Sequence, residues 1–327
     1  MLPIGKLRSD VLNEILGKLS IRDKKVVFGP REGFDSAVLE YDGEHYLVIA
    51  TDPVLGVPME HFGFFAYHFA SSDVSVFGAR PRWLVVDLLL SEGSTKEQLA
   101  AIMRELDSEC AKYGSSVVGG HTGVYRSVKY TTAATTAMGI VRKEELKLPL
   151  AKPGDEIVIT KGVGIEFAVG AAWFDAEGLK KYLSPGEIAT LREMYRLETV
   201  VPDALIARPY VRGMHDATEG GLTALHEIAD NSGLGFEVEM ESLHIPPTVA
   251  RVIGAYDVDP LTVSSTGTLI CIVPPSKSGA LIEALGAKGI PAFRIGRFTE
   301  GKERLLRTGQ EEEKFPRFQG DAYAGLY

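Results

Sequence analysis

Residues 62–90 read FGFFAYHFASSDVSVFGARPRWLVVDLLL. The first part, 62–77, places bulky apolar residues at helical spacing, and Trp83 to Leu90 is an apolar run of strand length. A helix feeding a strand is a building unit of layered α/β domains. One residue breaks the pattern. Asp73 sits among Phe69, Val74 and Phe77, and a carboxylate beside an apolar face costs several kcal/mol, roughly, unless something pairs with it. Few lysines or arginines lie close by in sequence. Magnesium is the natural partner, because it takes oxygen ligands and is held by one or two carboxylates together with phosphate oxygens.

Upstream, Leu7, Val11, Leu12, Ile15, Leu16 and Leu19 fall on one stripe and predict an opening amphipathic helix. Val26 to Phe28 is a short apolar strand. Ala37–Tyr41 and Tyr46–Thr51 flank Asp42-Gly43, a strong hairpin signal. Asp35 precedes the first of these strands and Asp52 ends the second. Both are therefore expected where a sheet hands over to a loop, a common address for binding groups. Singly, Asp35, Asp52 and Asp73 read equally as caps or turn residues; the metal reading rests on all three together.

Downstream, Ser94-Thr-Lys-Glu97 predicts a capping box and a helix to about Tyr113. Ser116 to Val118 predicts a short strand running into Gly119-Gly120-His121-Thr122, where bare glycines would let backbone N–H groups approach phosphate oxygens. Tyr130 to Val141 is a long strand. A charged stretch, Lys143 to Lys147, followed by Pro149 and Pro153-Gly154, sets a boundary between domains 1–148 and 149–327. Beyond it, strands near 156–160, 235–240, 268–273 and 292–298 alternate with helices near 220–231, 246–255 and 276–288, and Ser184-Pro-Gly-Glu187 starts another helix. The fold class is α/β, or α+β. Gly162-Val-Gly164 reads as a tight turn. The tail after Gly301 is charged and expected to be loosely held.

His215-Asp216-Ala-Thr218-Glu219-Gly220-Gly221 crowds two carboxylates and a hydroxyl at a helix start. Capping and the helix dipole account for each singly. Two glycines at about 1 kcal/mol each against alanine call for a further reason, and close approach of a ligand supplies one.

Bulk properties bound the rest. The 327 residues, 45% hydrophobic and 24% charged, suffice for two globular domains. No run of eighteen apolar residues predicts a membrane span, and Met1 to Lys6 lacks a secretion leader, so a soluble cytoplasmic protein is expected. Cys110 and Cys271 read as reduced core thiols. The net charge of −9 argues against nucleic acid as a partner, though not against a nucleotide whose charge magnesium offsets. No Walker A pattern occurs.

In this order, the motifs resemble the PurM-like ATP-dependent superfamily. The matching stretches are Gly33-Phe-Asp35-Ser-Ala-Val38, Thr51-Asp52-Pro-Val54, Ser72-Asp73 through Gly78-Ala-Arg-Pro81, Gly119-Gly-His-Thr122, His215 through Leu222, Asp259-Pro-Leu261 and Ser264-Ser-Thr-Gly-Thr-Leu269. The look is nearest to HypE and the AIR synthase-related proteins. The resemblance implies a two-domain fold, an N-terminal α/β domain whose strands form a homodimer and a C-terminal α/β domain closing a nucleotide cleft. It implies ATP and Mg2+ as cofactors and phosphoryl transfer to an oxygen of a small-molecule substrate. By position it makes Asp35, Asp52 and Asp73 metal ligands, Gly119, Gly120, His121 and Thr122 phosphate-side residues, and Asp216, Thr218 and Glu219 the second domain's catalytic contribution. Departures accompany it. HypE proteins end in an acceptor cysteine, and Asp321-Ala-Tyr-Ala-Gly-Leu-Tyr327 has none. Thiamine-monophosphate kinases carry paired aspartates where Phe34-Asp35 stands. A non-catalytic nucleotide-binding dimer and a kinase of the thiamine-phosphate type are the alternative expectations.

Overall fold

The computed structural model describes residues 5, 7, 9–318, 320 and 322–326. The leader-free reading of Met1–Lys6 and the cysteine-free end at Asp321 and Tyr327 fall partly or wholly outside them. Contacts divide the chain into two units: Ser20–Leu146, and Lys147–Tyr327 together with the opening segment to Leu19.

The Ser20–Leu146 unit contains β1 (Val26–Phe28), β2 (Ala37–Glu40), β3 (His45–Val54), β4 (Arg80–Leu90), β5 (Ser116–Val124) and β6 (Thr132–Arg142), in the sheet order β1-β2-β3-β6-β4-β5. Neighbours are antiparallel except β4 and β5, which are joined by the Lys96–Tyr113 helix, the crossover a parallel pair requires. The Phe62–Val76 helix lies on one face, against β3, β6 and β4, and the Lys96–Tyr113 helix packs on it in turn. Covered on both sides, this helix is buried almost all round, which explains its lack of a polar face. Its sheet-side partners alternate along the strands: Val48, Ala50 and Val54 of β3, Ala133, Thr135 and Ala137 of β6, Leu84, Val86 and Leu88 of β4.

The other unit carries β7 (Glu156–Thr160), β8 (Gly213–Asp216), β9 (Gly235–Glu239), β10 (Leu269–Val273), β11 (Ala292–Thr299), β12 (Arg304–Thr308) and β13 (Glu311–Lys314), ordered β13-β12-β9-β11-β7-β10-β8. Only β12 and β9 pair in parallel. Ile157, Ile159, Phe236, Ile270, Ile272 and Phe298 anchor its core. Both units thus mix strands and helices in layers, as the α/β or α+β reading requires.

Four local expectations are corrected. The tail after Gly301 is not loose: its charges lie on β12 and β13, and Leu306 and Phe315 are buried in the core. The capping box sits one residue later than expected. Thr95 accepts from the Gln98 N–H at 3.2 Å while the Gln98 side chain accepts from the Thr95 N–H at 2.8 Å. β3 does not stop at Asp52; Asp52 and Pro53 pair with Thr135 and Ala134. Proline is tolerated there because β2 pairs only as far as Ile49, so no ladder partner needs the missing N–H. The helix expected over 220–231 begins as a 3-10 turn, Gly221–Thr223, before Ala224–Ser232.

Candidate functional site

In the Ser20–Leu146 unit the Asp35 loop is fastened to the end of the Phe62–Val76 helix. The Phe34 ring stacks on Phe28 at 5.7 Å and meets Phe77 edge-on at 6.2 Å. The Ser36 hydroxyl donates to the Asp73 backbone carbonyl at 3.0 Å. Asp35 and the Asp73 turn are therefore neighbours, and Phe34 serves the core. Asp35 is exposed, whereas Asp73 is only 7% exposed. Asp73 also lies in the helix's last turn, where the negative end of the macrodipole opposes a carboxylate. Burial and dipole act in the same direction, and a bound cation offsets both.

Asp52 is half-buried on the helix-facing side of β3, directly across the ladder from Thr135. Thr135 is 0% exposed, and its hydroxyl has no hydrogen-bond partner. Among the described residues, Asp35, Asp52 and Asp73 do not form a set whose carboxylate oxygens all lie within 4.8 Å of one another. Magnesium held by one or two carboxylates, its own waters and phosphate oxygens does not need so tight a cage. Three carboxylates are the kind of oxygen donor that a hard divalent cation takes. Asp35, Asp52 and Asp73 are the residues that would hold it.

Gly119–Thr122 is not a loop. It continues β5, the edge strand, paired with Val85 to Leu88 of β4. Gly120 has φ +144°, and a Cβ there would lie 1.9 Å from the Val86 carbonyl oxygen. Strand contact alone demands this glycine. The His121 side chain contacts the Tyr125 hydroxyl on the exposed face.

In the other unit, three connections meet at one end of the adjacent strands β7, β10 and β8. The Ser265 hydroxyl accepts from the Gly164 N–H at 2.9 Å, and Thr268 donates to the Gly162 carbonyl at 2.5 Å. The Thr218 carbonyl accepts N–H groups from Gly221 at 2.9 Å and Ser265 at 3.2 Å. Asp216 closes β8 and is buried, while Thr218 and Glu219 are half-buried in the turn beyond it. His215 donates through Nδ1 to the Asp216 carbonyl at 2.8 Å, and its Nε2 lies 3.5 Å from Glu227. The two glycines have an internal reason. Gly220 and Gly221 take φ +88° and +55°, and a Cβ on Gly221 would lie 2.5 Å from the Val263 carbonyl oxygen. The ligand expected to explain them is not required.

A buried charged group beside these turns was not foreseen. Lys161, at φ +63°, donates to the Thr199 carbonyl and pairs with Asp203, both at 2.7 Å. Glu166 accepts from the Thr266 N–H at 2.9 Å. Burial, and then the nearby Glu166, hold the Glu198 carboxyl well above the usual range. The signal was the one that revealed Asp73: Ile165–Phe174 reads IEFAVGAAWF, one acid in an apolar helix. Cys110 and Cys271 are free and buried, and burial pushes the Cys110 thiol up to about 11 and raises that of Cys271 further. No helix among the described residues is long and apolar enough to cross a membrane.

Residues 33–141 match the model of the AIR synthase related protein N-terminal domain, and 152–307 that of the AIR synthase related protein C-terminal domain. The chain belongs to the AIR synthase related family. It is 29% identical over 271 residues to carbamoyl dehydratase HypE of Azotobacter vinelandii, covering 80% of this chain and 77% of that one. Hydrogenase maturation protein HypE in complex with ATP shares the fold with a TM-score of 0.73 at 22% identity, over 88% of this chain and 89% of that one. Thiamine-monophosphate kinase from Stenotrophomonas maltophilia K279a shares it with a TM-score of 0.70 at 21% identity, over 92% and 95%.

Proposed function

We propose that this protein binds Mg-ATP and transfers the γ-phosphoryl group to an oxygen of a small molecule. The observation that carries this reading is Asp73, a carboxylate buried in the last turn of an apolar helix and tied through Ser36 to the loop of Asp35. Family membership and the likeness to an ATP-bound HypE support it. When bound, magnesium supplies the charge neutralisation that phosphoryl transfer depends on. Asp35, Asp52 and Asp73 would hold it. The exposed edge strand carrying Gly119, Gly120, His121 and Thr122 serves the phosphates. Asp216, Thr218 and Glu219 act on the acceptor side, in the domain 149–327. The acceptor oxygen bonds to the γ-phosphorus, the bond to the ADP oxygen breaks, and the acceptor proton leaves to a general base.

The acceptor is a separate small molecule. Neither Cys110 nor Cys271 is accessible, and burial keeps both as thiols rather than the nucleophilic thiolate. The first domain, 1–148, forms a homodimer through β5, an edge strand with exposed Val118 and Val124.

Titration calorimetry with a non-hydrolysable ATP analogue, with and without Mg2+, followed by ADP release against a panel of hydroxyl and carboxylate acceptors, tests the reading. Magnesium-dependent binding and acceptor-dependent ADP release are expected. Thermal stabilisation by AMP but not by the Mg2+-analogue complex would overturn it.

A further inference from the structure

We propose that Glu166 is a positioning residue for the acceptor-side turn, setting Thr218 and Glu219 through residues 261–268. It rests on the phosphoryl-transfer reading above and extends that reading to a side chain outside the turn.

The Asp216–Gly221 turn leans on residues 261–268. The Ala217 N–H donates to the Thr268 carbonyl at 2.9 Å, the Leu222 N–H to the Leu261 carbonyl at 2.9 Å, and the Ser265 N–H to the Thr218 carbonyl at 3.2 Å. Bare Gly221 lies against the Val263 carbonyl. The place of the turn is therefore set by the place of 261–268. That segment is in turn fastened to the connection that starts the Ile165–Phe174 helix. The Ser265 hydroxyl accepts from the Gly164 N–H, and the buried Glu166 carboxylate accepts from the Thr266 N–H, both at 2.9 Å. Ser265 and Thr266 are consecutive, so the N–H that Glu166 holds is the backbone neighbour of the N–H that holds Thr218. Glu166 stands in the first turn of its helix, where the positive end of the dipole favours a carboxylate. That accounts for an acid at this position, but not for a bond to an N–H 100 residues further along the chain. A backbone N–H bonded to a carboxylate is among the stronger hydrogen bonds, and a displacement of about 1 Å at a reacting centre can cost roughly a hundredfold in rate.

The test compares Glu166→Ala, Glu166→Asp and Glu166→Gln in the full-length protein. Glutamine keeps an acceptor oxygen at the same reach, aspartate keeps the charge but falls one methylene short, and alanine has neither. Amide hydrogen exchange, read by mass spectrometry, should be about tenfold faster or more over 217–222 and 261–268 in the Ala and Asp variants, unchanged in β9 and β11, and near wild type throughout in Glu166→Gln. With saturating Mg-ATP and the acceptor that supports ADP release in the panel above, kcat should fall about tenfold or more in the Ala and Asp variants while KM for ATP stays within about twofold. Glu166→Gln should restore kcat. If the Ala variant does not fold, the Asp variant decides. Exchange that accelerates equally in β9 and β11 would make Glu166 a structural residue and overturn the inference. So would unchanged exchange, local acceleration with kcat unchanged, a Gln variant as impaired as the Ala variant, or failure of all three to fold. Wild-type protein that releases no ADP with any acceptor would instead refute the phosphoryl-transfer reading, and the exchange pattern would still decide whether Glu166 sets the turn.

Discussion

The turn Asp216–Gly221 and the strand–helix seam that carries Asp52 and Asp73 both look chemical in sequence, yet packing treats them differently. In the turn, the odd features have internal causes. Its glycines are demanded by positive φ and by the Val263 carbonyl, and the Thr218 carbonyl is shared by two N–H groups. In the seam, Asp73 lies buried in the last turn of its helix, against the negative end of the dipole. A crowded motif is thus a weaker pointer to a ligand than a carboxylate placed against its local field.

The comparison breaks most readily at Gly221. If the glycine is structural, Gly221→Ala must either abandon φ +55° or push against the Val263 carbonyl, and a loss of about 3–4 kcal/mol is expected from backbone strain and overpacking together. Chemical denaturation measures it. A loss below about 1 kcal/mol would return the glycine to a ligand-approach role.

The internally satisfied character of this region extends to His226, on the helix that follows the turn. Its Nε2 donates to the Pro316 carbonyl at 2.8 Å and its Nδ1 accepts from Arg304 at 2.9 Å. Burial outweighs the Pro316 bond and pushes the imidazole from 6.5 down to about 4. A base depressed in the folded state is protonated first in the unfolded chain. Its stabilisation is therefore complete above pH 6.5, falls as pH drops from 6.5 to 4, and is gone below 4, at most about 3 kcal/mol in all. Unfolding free energies across that window, compared with those of His226→Gln, check it. The glutamine can make both bonds without titrating, so its profile should be flatter; parallel profiles would show that His226 is not the cause.

In the seam the expected loss is one of binding, and Asp73→Asn is the substitution that reads it. Affinity for the Mg2+-ATP analogue should fall about a hundredfold, or about 2.7 kcal/mol. Unchanged affinity by calorimetry would remove Asp73 from the site.

What was legible in sequence divides along physical lines. The Phe62–Val76 helix, the apolar β4 and the Asp73 anomaly were readable because periodicity and a misplaced charge are local properties. The family resemblance rested on motifs spread from Gly33 to Leu269, and the two matched domains accord with it. The continuation of β5 through Gly119–Thr122 was hidden because glycines signal turns locally, while Gly120 answers to Val86 on another strand. β12 and β13 were hidden because their charges read as a solvated tail, although Leu306 and Phe315 tie that segment to the core.

The smallest effect concerns the start of the Lys96–Tyr113 helix, where the sequence reading chose Ser94 and the structure caps with Thr95. Ser94 with Glu97 and Thr95 with Gln98 are both capping-box pairs three residues apart. The second is the one formed, with Thr95 extended at φ −105°, ψ 162° and both reciprocal bonds in place. Thr95→Ala should therefore cost about 1 kcal/mol, and Ser94→Ala almost nothing, both read from denaturation midpoints. This pair calibrates the larger comparison, because here the polar groups are fully used by the helix and no ligand is at stake. Neither substitution should alter the Mg2+ requirement for nucleotide. If Thr95→Ala did alter it, stability loss alone would mimic a binding defect, and a change at Asp73 could be assigned to the site only where its Tm did not fall.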